Sequence, residues 1–402
     1  MAKRFQVLVV GGGLVGAAAA LGIERIGYSV ALFERAAPRE TRGRLGFDAR
    51  MIALAPKWKD FLEVFGDGAW HHHGQFERLL AWEELGTAQV SFDAADVGAA
   101  QLGFMASMSD LQTRLWTQVE ASSIEVFLGE HIEDIDVGVE HVTIGTGAEV
   151  QGSLLISADG ASSRVRDLLN LDRTLRPTGQ SAIVTVVEVS EHHANTARQR
   201  FLHDGPLALL PLDTQDDRHV VSIVWSQSDA QAQRRAALDE RAFCEELTDA
   251  SEGCLGEVRT ADERFCLPLE QQVSESFTPS SRTLLLGDSA RVLHPLAGQG
   301  ANLGLEDVEA LLEVLQHRPS DPGANRLWRD FSRLRGLRSK SMVAAMSFFR
   351  HVYAIDDPTF SWLRNLGVRF VDQFDPVKQL MLKEALGDSL LARMAEKVKW
   401  PA

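Results

Sequence analysis

Residues 7–35 read VLVVGGGLVGAAAALGIERIGYSVALFER, and this stretch decides the fold. Four apolar residues, Val7 to Val10, run directly into Gly11-Gly12-Gly13. A small-residue helical pattern follows, then a second apolar run, Val30 to Phe33, ending in Glu34. The order is strand, tight glycine turn, helix, strand, acid: one βαβ unit. Gly11, Gly13 and Gly16 form GxGxxG. The first glycine permits the turn, the second lets a pyrophosphate approach the backbone, and the third lets helix and strand pack closely. Open N–H groups at the helix start suit phosphate oxygens. Glu34 follows Gly11 by 34 − 11 = 23 residues, close to the spacing of an acid that binds ribose hydroxyls. The stretch therefore predicts a dinucleotide site.

Past this unit comes a loop with Arg42, Arg44 and Arg50. Met51–Val64 has helical spacing, which puts Arg50 at a helix start beside the expected pyrophosphate, where a guanidinium fork suits phosphate. His71-His72-His73 suggests a metal, but three adjacent rings point in different directions, so a loop without a metal is the expectation. Phe76–Phe92 alternates weakly and predicts an antiparallel hairpin, and Asp110–Val119 predicts a helix.

Leu154-Leu155-Ile156-Ser157 predicts a short buried strand that ends in Ala158-Asp159-Gly160, with a helix after Ser162. Taken alone, Asp-Gly after a strand is a turn. Between 181 and 268 the chain becomes β-branched and alternating, with runs at Ala182–Val189, Leu207–Leu212 and His219–Trp225 and a helical insert at Arg234–Leu247. This predicts a second, antiparallel-sheet unit. Arg282–Leu286 then predicts a buried strand stopping at Gly287-Asp288, which sets that carboxylate at the carboxyl end of a parallel sheet. Glycines 298, 300 and 304 precede a helix expected from Leu305 to His317 and imply a close backbone approach. From Asn325 onward the period is helical, with long candidates at Leu327–Phe349 and Val377–Lys399.

A chain of 402 residues with 45% hydrophobic and 24% charged composition has room for two or three units and a large core. A net charge of −15 argues against nucleic acid as a partner. The three cysteines show no metal spacing and read as reduced thiols of a cytoplasmic protein. The first strand starts within a few residues of Met1, so no signal peptide is expected, and no apolar run reaches the roughly 18 residues of a membrane span.

Three separated motifs thus stand in fixed order: GxGxxG with Glu34, Ala-Asp-Gly with Arg164, and Gly-Asp with His294-Pro295. The set resembles the FAD-dependent aromatic hydroxylases of the para-hydroxybenzoate hydroxylase type, over nearly the whole chain. Leu296-Ala297-Gly298-Gln299-Gly300-Ala301-Asn302-Leu303-Gly304, Leu363–Gly367 and Pro376–Leu380 resemble the ubiquinone-biosynthesis hydroxylase family. Two segments depart from it. Arg291 stands where the family commonly has His or Gln, and Ser107–Asp110 stands where Glu-Asn-Arg is usual.

The resemblance implies an α/β chain, α+β overall. It would have a Rossmann-like FAD-binding domain with a parallel sheet (1–75, 105–180 and 270–325), a mainly antiparallel substrate domain (76–104 and 181–269) and a C-terminal helical region (326–402). It implies non-covalent FAD, with NAD(P)H as a transient co-substrate lacking its own Rossmann domain, and O2 entering through a flavin C4a-hydroperoxide that attacks an aromatic ring. Gly11, Gly13 and Gly16 would hold the pyrophosphate, Glu34 the ribose, Arg50 the phosphate side, and Gln112 and Asp288 the ribityl chain. Asp159 and Gly160 would serve FAD and the visiting nicotinamide, and the backbone of Gly298, Gln299, Gly300, Ala301 and Asn302 would face the isoalloxazine. His294 and Pro295 are the catalytic candidates: a titrating group near the flavin and a shaped wall.

The substrate so implied is a polyprenylated phenol or benzoquinone. The alternatives are a soluble small aromatic or secondary metabolite and, from another class, a non-catalytic FAD-fold scaffold of a biosynthetic complex. A prenyl tail partitions into membrane, so the basic residues of Val377–Lys399 are a candidate for contact with the inner membrane surface. Core packing against the FAD domain is the favoured reading of that helix. A homo-oligomer or membership of a ubiquinone-biosynthesis complex is compatible with the sequence.

Overall fold

The structure is a computed structural model that describes residues 2–66, 68–84, 89–292, 299–354, 382 and 386. β1 (Lys3–Val10), α1 (Leu14–Ile26) and β2 (Val30–Glu34) form the expected βαβ unit, and the two strands pair in parallel with Val7 opposite Val30 and Val10 opposite Phe33. Ala17 to Ala20 are fully buried, so α1 lies close on the sheet. Gly27, left-handed with φ +102°, ends the helix.

The next segment corrects the sequence expectation. Met51–Val64 is not one helix: β3 (Met51–Leu54) precedes α2 (Lys57–Glu63), and Pro56 stands at the N-cap of that helix. Arg50 therefore opens a strand. The run MIAL fits either element, and pairing with a distant strand decides it. That partner is β7 (Gly103–Ser107), reached after β4 (Gly74–Phe76), β5 (Arg78–Glu83) and β6 (Gln89–Asp93). β5 and β6 form the expected antiparallel hairpin.

α3 (Met108–Glu120), β8 (Glu125–Leu128), β9 (Asp134–Val137), β10 (Val142–Gly145), β11 (Glu149–Ser157) and α4 (Arg164–Leu168) follow. β11 pairs in parallel with β1, and its end passes beneath the glycine turn. β12 (Arg173–Val189), β13 (Thr196–Leu202), β14 (Gly205–Leu212) and β15 (His219–Ser228) come next. The helical insert is two helices, α5 (Asp229–Ala236) and α6 (Glu240–Ala250), because Asp239 accepts from Ala242 N–H at 2.9 Å and caps a new start. β16 (Val258–Ala261), β17 (Phe265–Ser274), β18 (Thr283–Leu285), β19 (Arg291–Val292), α7 (Gln299–Leu315) and α8 (Asn325–Ala354) complete the described elements.

Three sheets result. The first has the order β8-β2-β1-β11-β10-β9, with β18 parallel to the end of β11. The second has the order β19-β17-β12-β15-β14-β13-β5-β6, with β16 beside β12, and is antiparallel except for β13–β5. A small sheet, β3-β7-β4, stands between them. Strand pairing carries the second sheet back to Arg173 and forward to Ser274, past the 180 and 270 limits read from the sequence.

The main core gathers α1, α3, α7 and α8 against the first sheet, with Trp58, Trp116 and Trp328 buried in it. Leu382 and Leu386 join Val90, Phe92 and Leu102 beside the β5–β6 hairpin. These two residues of the C-terminal candidate helix thus pack on the second sheet's apolar edge, where the sequence reading had placed that helix against the FAD domain; the rest of 377–399 lies outside the described residues. No helix among the described residues is long and apolar enough to cross a membrane.

Candidate active site

The glycine turn shows why each position is glycine. Gly11 has φ +101°, and a Cβ there would meet Ala158 O at 2.4 Å. A Cβ on Gly16 would lie 1.8 Å from Gly11 O, so α1 rests directly on the turn. Gly12, outside the motif, is equally fixed, because a Cβ would meet the Trp116 ring at 2.7 Å. Gly13 differs. It caps α1 without a side-chain bond, and the nearest atom to its would-be Cβ is the Gln112 amide at 3.6 Å. The helix start is open on that side, as a phosphate requires.

Glu34 ends β2 with one carboxylate oxygen accepting from Gly12 N–H and the other from Arg35 N–H at 2.7 Å. The acid thus braces the glycine turn as well as facing outward. The Asp159 carboxylate accepts from Ser157 Oγ at 2.6 Å and from Val165 N–H at 3.2 Å, and Gly160 is left-handed with φ +83°. Gly11, Gly13, Glu34, Asp159, Gly160 and Arg164 line one cavity of about 510 Å3.

A second arm of the site starts at β18. The chain makes a short 3-10 turn, Gly287–Ser289, that points Asp288 into solvent. Protein still crowds this carboxyl, and the desolvation pushes its pKa above the ordinary range. Arg291 opposes the rise and Asp307 adds to it. α7 begins at Gln299, six residues before the expected Leu305. At Gly300 a Cβ would meet nothing within 4 Å among the described residues, whereas at Gly304 it would meet Val15 at 2.6 Å. One glycine faces open space and the other packs α7 onto α1. The Asn302 side chain turns away from the opening: it accepts from Ala55 N–H and Trp58 Nε1–H at 2.9 and 3.0 Å, and donates to Ala53 O at 2.8 Å. Arg50 is exposed, and its carbonyl accepts from Met108 N–H at the start of α3, one turn before Gln112. His294, Pro295 and Gly298 lie outside the described residues, as does the Gln299 side chain.

Sequence reasoning missed two buried guanidinium anchors. Arg166 donates to Ser289 O at 2.6 Å, to Asp288 O at 3.3 Å and to Ala161 O, and so bolts the Asp159 loop to the Asp288 turn. Arg291, noted in the sequence as a departure, has an ion partner in the core. It pairs with Asp307 at 2.8 Å, and Asp307 also holds Arg335 at 2.6 Å and accepts from Gly287 N–H at 2.9 Å. Glu306 pairs with Arg335 and Arg338 at 3.1 and 3.3 Å. Burial raises the Glu306 pKa, but the two arginines overcome it and hold the carboxyl at about 2. The only sequence signal for this network is the pattern of arginines on one face of α8 (335 and 338) and acids at 306 and 307.

The expectation that the three adjacent rings point apart fails for two of them: His71 Nδ1 and His73 Nε2 converge at 3.0 and 3.6 Å from Asp110 Oδ2, while the His72 ring lies against Phe104. An extended backbone sets residues i and i+2 on one side.

A glycine turn open at a helix start, a paired acid and a second opening at α7 define a dinucleotide-cofactor protein of the flavoprotein type. The family described as FAD binding domain matches residues 101–345, and the chain belongs to that family of FAD-dependent monooxygenases. The chain is 29% identical over 399 residues to 3-demethoxyubiquinol 3-hydroxylase of Escherichia coli, covering 95% of this chain and 98% of that protein. It is 30% identical over 396 residues to ubiquinone hydroxylase UbiL of Rhodospirillum rubrum, covering 96% and 90%. Among solved structures, p-nitrophenol 4-monooxygenase PnpA of Pseudomonas putida shares the fold, with a TM-score of 0.75 at 18% identity over 97% of this chain and all of that one.

Proposed function

We propose that the chain hydroxylates the ring of a polyprenylated phenol or benzoquinone precursor of ubiquinone, using NAD(P)H and O2. The observation that carries this reading is end-to-end similarity to two ubiquinone-pathway hydroxylases, joined to a cofactor cradle whose open positions fit FAD. The fit rests on Gly13 and Gly300, where, among the described residues outside their own helices, no atom other than the Gln112 amide comes within 4 Å of the would-be Cβ. FAD, when bound, supplies the electron transfer from NAD(P)H and the activation of O2.

The residues divide the remaining work. Gly11, Gly13 and Gly16 shape the pyrophosphate seat, and the α1 N-terminus places N–H dipoles there. Glu34 accepts from ribose hydroxyls, Arg50 supplies a cation to the phosphate side, and Gln112 and Asp288 hydrogen-bond the linking chain. Asp159 and Gly160 form the seat shared with the nicotinamide. Gly298 and the first turn of α7, Gln299 to Asn302, would offer backbone N–H groups to the flavin ring. By the family resemblance alone, Pro295 would contribute to excluding water and His294 would move a proton at the substrate hydroxyl. In this reading the first sheet carries the cofactor-holding unit and the second sheet faces substrate.

The test is a mass-spectrometric quinone profile of source cells with the gene deleted. Loss of ubiquinone with an intermediate short of one ring oxygen supports the reading and identifies the carbon. An unchanged profile, with turnover of soluble phenols by the purified flavoprotein, replaces it with the small-aromatic reading.

A further inference from the structure

The loop at 71–73 and the first turn of α3 bring two imidazoles and a carboxylate to one point. His71 Nδ1, His73 Nε2 and one Asp110 oxygen all lie within 4.8 Å of one another. Asp110 is 5% exposed, and its Oδ2 is buried without a hydrogen-bond partner; so is His73 Nε2. The other carboxylate oxygen is occupied, accepting from Arg114 Nε at 2.8 Å. Arg114 thus orients the carboxylate and leaves Oδ2 aimed at the rings, the arrangement that outer partners give a metal-ligating acid.

The separations suit an ion. Tetrahedral ligands at zinc bond lengths stand about 3.3 Å apart, and the two nitrogens lie 3.0 and 3.6 Å from Oδ2. A pair of imidazole–carboxylate hydrogen bonds would satisfy the same atoms, but the geometry gives Oδ2 none. The loop is pinned on both sides, since His73 N–H donates to Met105 O at 2.7 Å and His73 O accepts from Asp213 N–H at 2.7 Å. The rings are therefore held in place before any ion arrives. His71 is the more exposed partner and leaves a path from solvent.

We propose that His71, His73 and Asp110 form a binding site for one divalent transition-metal ion of the zinc class, with a fourth position open to water. Two imidazoles and a carboxylate are the ligand types such ions take, with three protein ligands leaving an open position. The hydroxylation assigned above does not use this ion. It ties the loop before β4 to α3, two residues ahead of Gln112.

The test uses the full-length FAD-loaded enzyme and Zn2+ alone, by equilibrium dialysis with metal quantified by mass spectrometry. One Zn2+ per chain at micromolar free metal is expected, with a higher melting temperature in its presence. H71A, at an exposed position that the fold tolerates, should weaken binding at least tenfold and remove the thermal shift. R114Q, which loses the orienting contact, should weaken it about 10-fold or more. H192A, in the neighbouring histidine group, should bind as the parent does. No Zn2+ bound by the parent enzyme, or equal binding by an H71A/H73A double variant that melts as the parent does, overturns the proposal.

Discussion

Arg291 Nη1 lies 2.8 Å from Asp307 Oδ2, and both side chains are at most 2% exposed. The pair joins β19, the strand that leaves the Asp288 turn, to α7. Removing one partner of a buried pair strands the other, at about 3–5 kcal/mol. Arg335 still holds the second oxygen of Asp307, so R291Q should fall near the low end, about 3 kcal/mol in urea unfolding, with weaker FAD retention. A loss under about 1 kcal/mol would mean that Arg335 alone satisfies the acid.

Gly13 and Gly16 belong to one motif yet should fail differently. G16A places a Cβ 1.8 Å from Gly11 O and must push α1 off the turn. It should lower the melting temperature and yield little folded protein. G13A meets no protein atom closer than 3.6 Å, so the apoprotein should melt as the parent does while FAD affinity falls tenfold or more. Fluorescence titration of apoprotein with FAD separates the two, and equal apoprotein stability for both variants would refute the packing argument.

Two carboxyls should give opposite pH signatures. The folded-state pKa of Glu306 is held at about 2, below its ordinary 4.5, so the stability it contributes is present above about pH 4.5 and lost as pH falls toward 2. That of Asp288 is raised, so its ionisation costs stability as pH rises above 3.8. Melting curves of the apoprotein from pH 3 to 8 check both. E306Q should flatten the acid limb. D288N should melt higher than the parent near pH 7, converge with it toward pH 4, and bind FAD more weakly. D288N melting below the parent at pH 7 would reverse the sign.

His294→Ala should leave FAD bound while product formation slows by about 10²–10⁴-fold, the range for loss of a general acid or base. Parallel assays of NAD(P)H oxidation and product by chromatography show whether the electrons go to peroxide. Normal product formation would retire His294 from the chemistry.

Charge reversal at Lys378, Lys383, Arg393, Lys397 and Lys399 tests the membrane reading without disturbing Leu382 and Leu386, which cover Val90 and Phe92. Flotation with anionic liposomes should fall if the segment lies on the surface and stay constant if it serves packing alone.

The βαβ unit was fully legible because everything that defines it lies within 29 consecutive residues, and the Asp159 and Asp288 turns were legible because apolar strands end abruptly at glycine or acid. What the sequence hid was non-local. MIAL at 51–54 became a strand through pairing with Gly103–Ser107, and this moved Arg50 from a helix start to a strand start. Arg166 belongs to no sequence motif, and its role comes only from the carbonyls at 161, 288 and 289 that the fold brings to it. The departure at Arg291 acquired meaning only with Arg335 and Asp307 beside it.

One small side chain lies behind both halves of the cradle. The would-be Cβ positions of Gly287 and Gly304 stand 3.1 and 2.6 Å from Val15, in the first turn of α1. The strand end that presents Asp288 and the first turns of α7 therefore take their distance from α1 and its glycine turn through the same isopropyl group. Val15 works as a spacer gauge: a larger residue would widen both gaps together and a smaller one would let both close, so the spacing of the two arms is set at one position of α1.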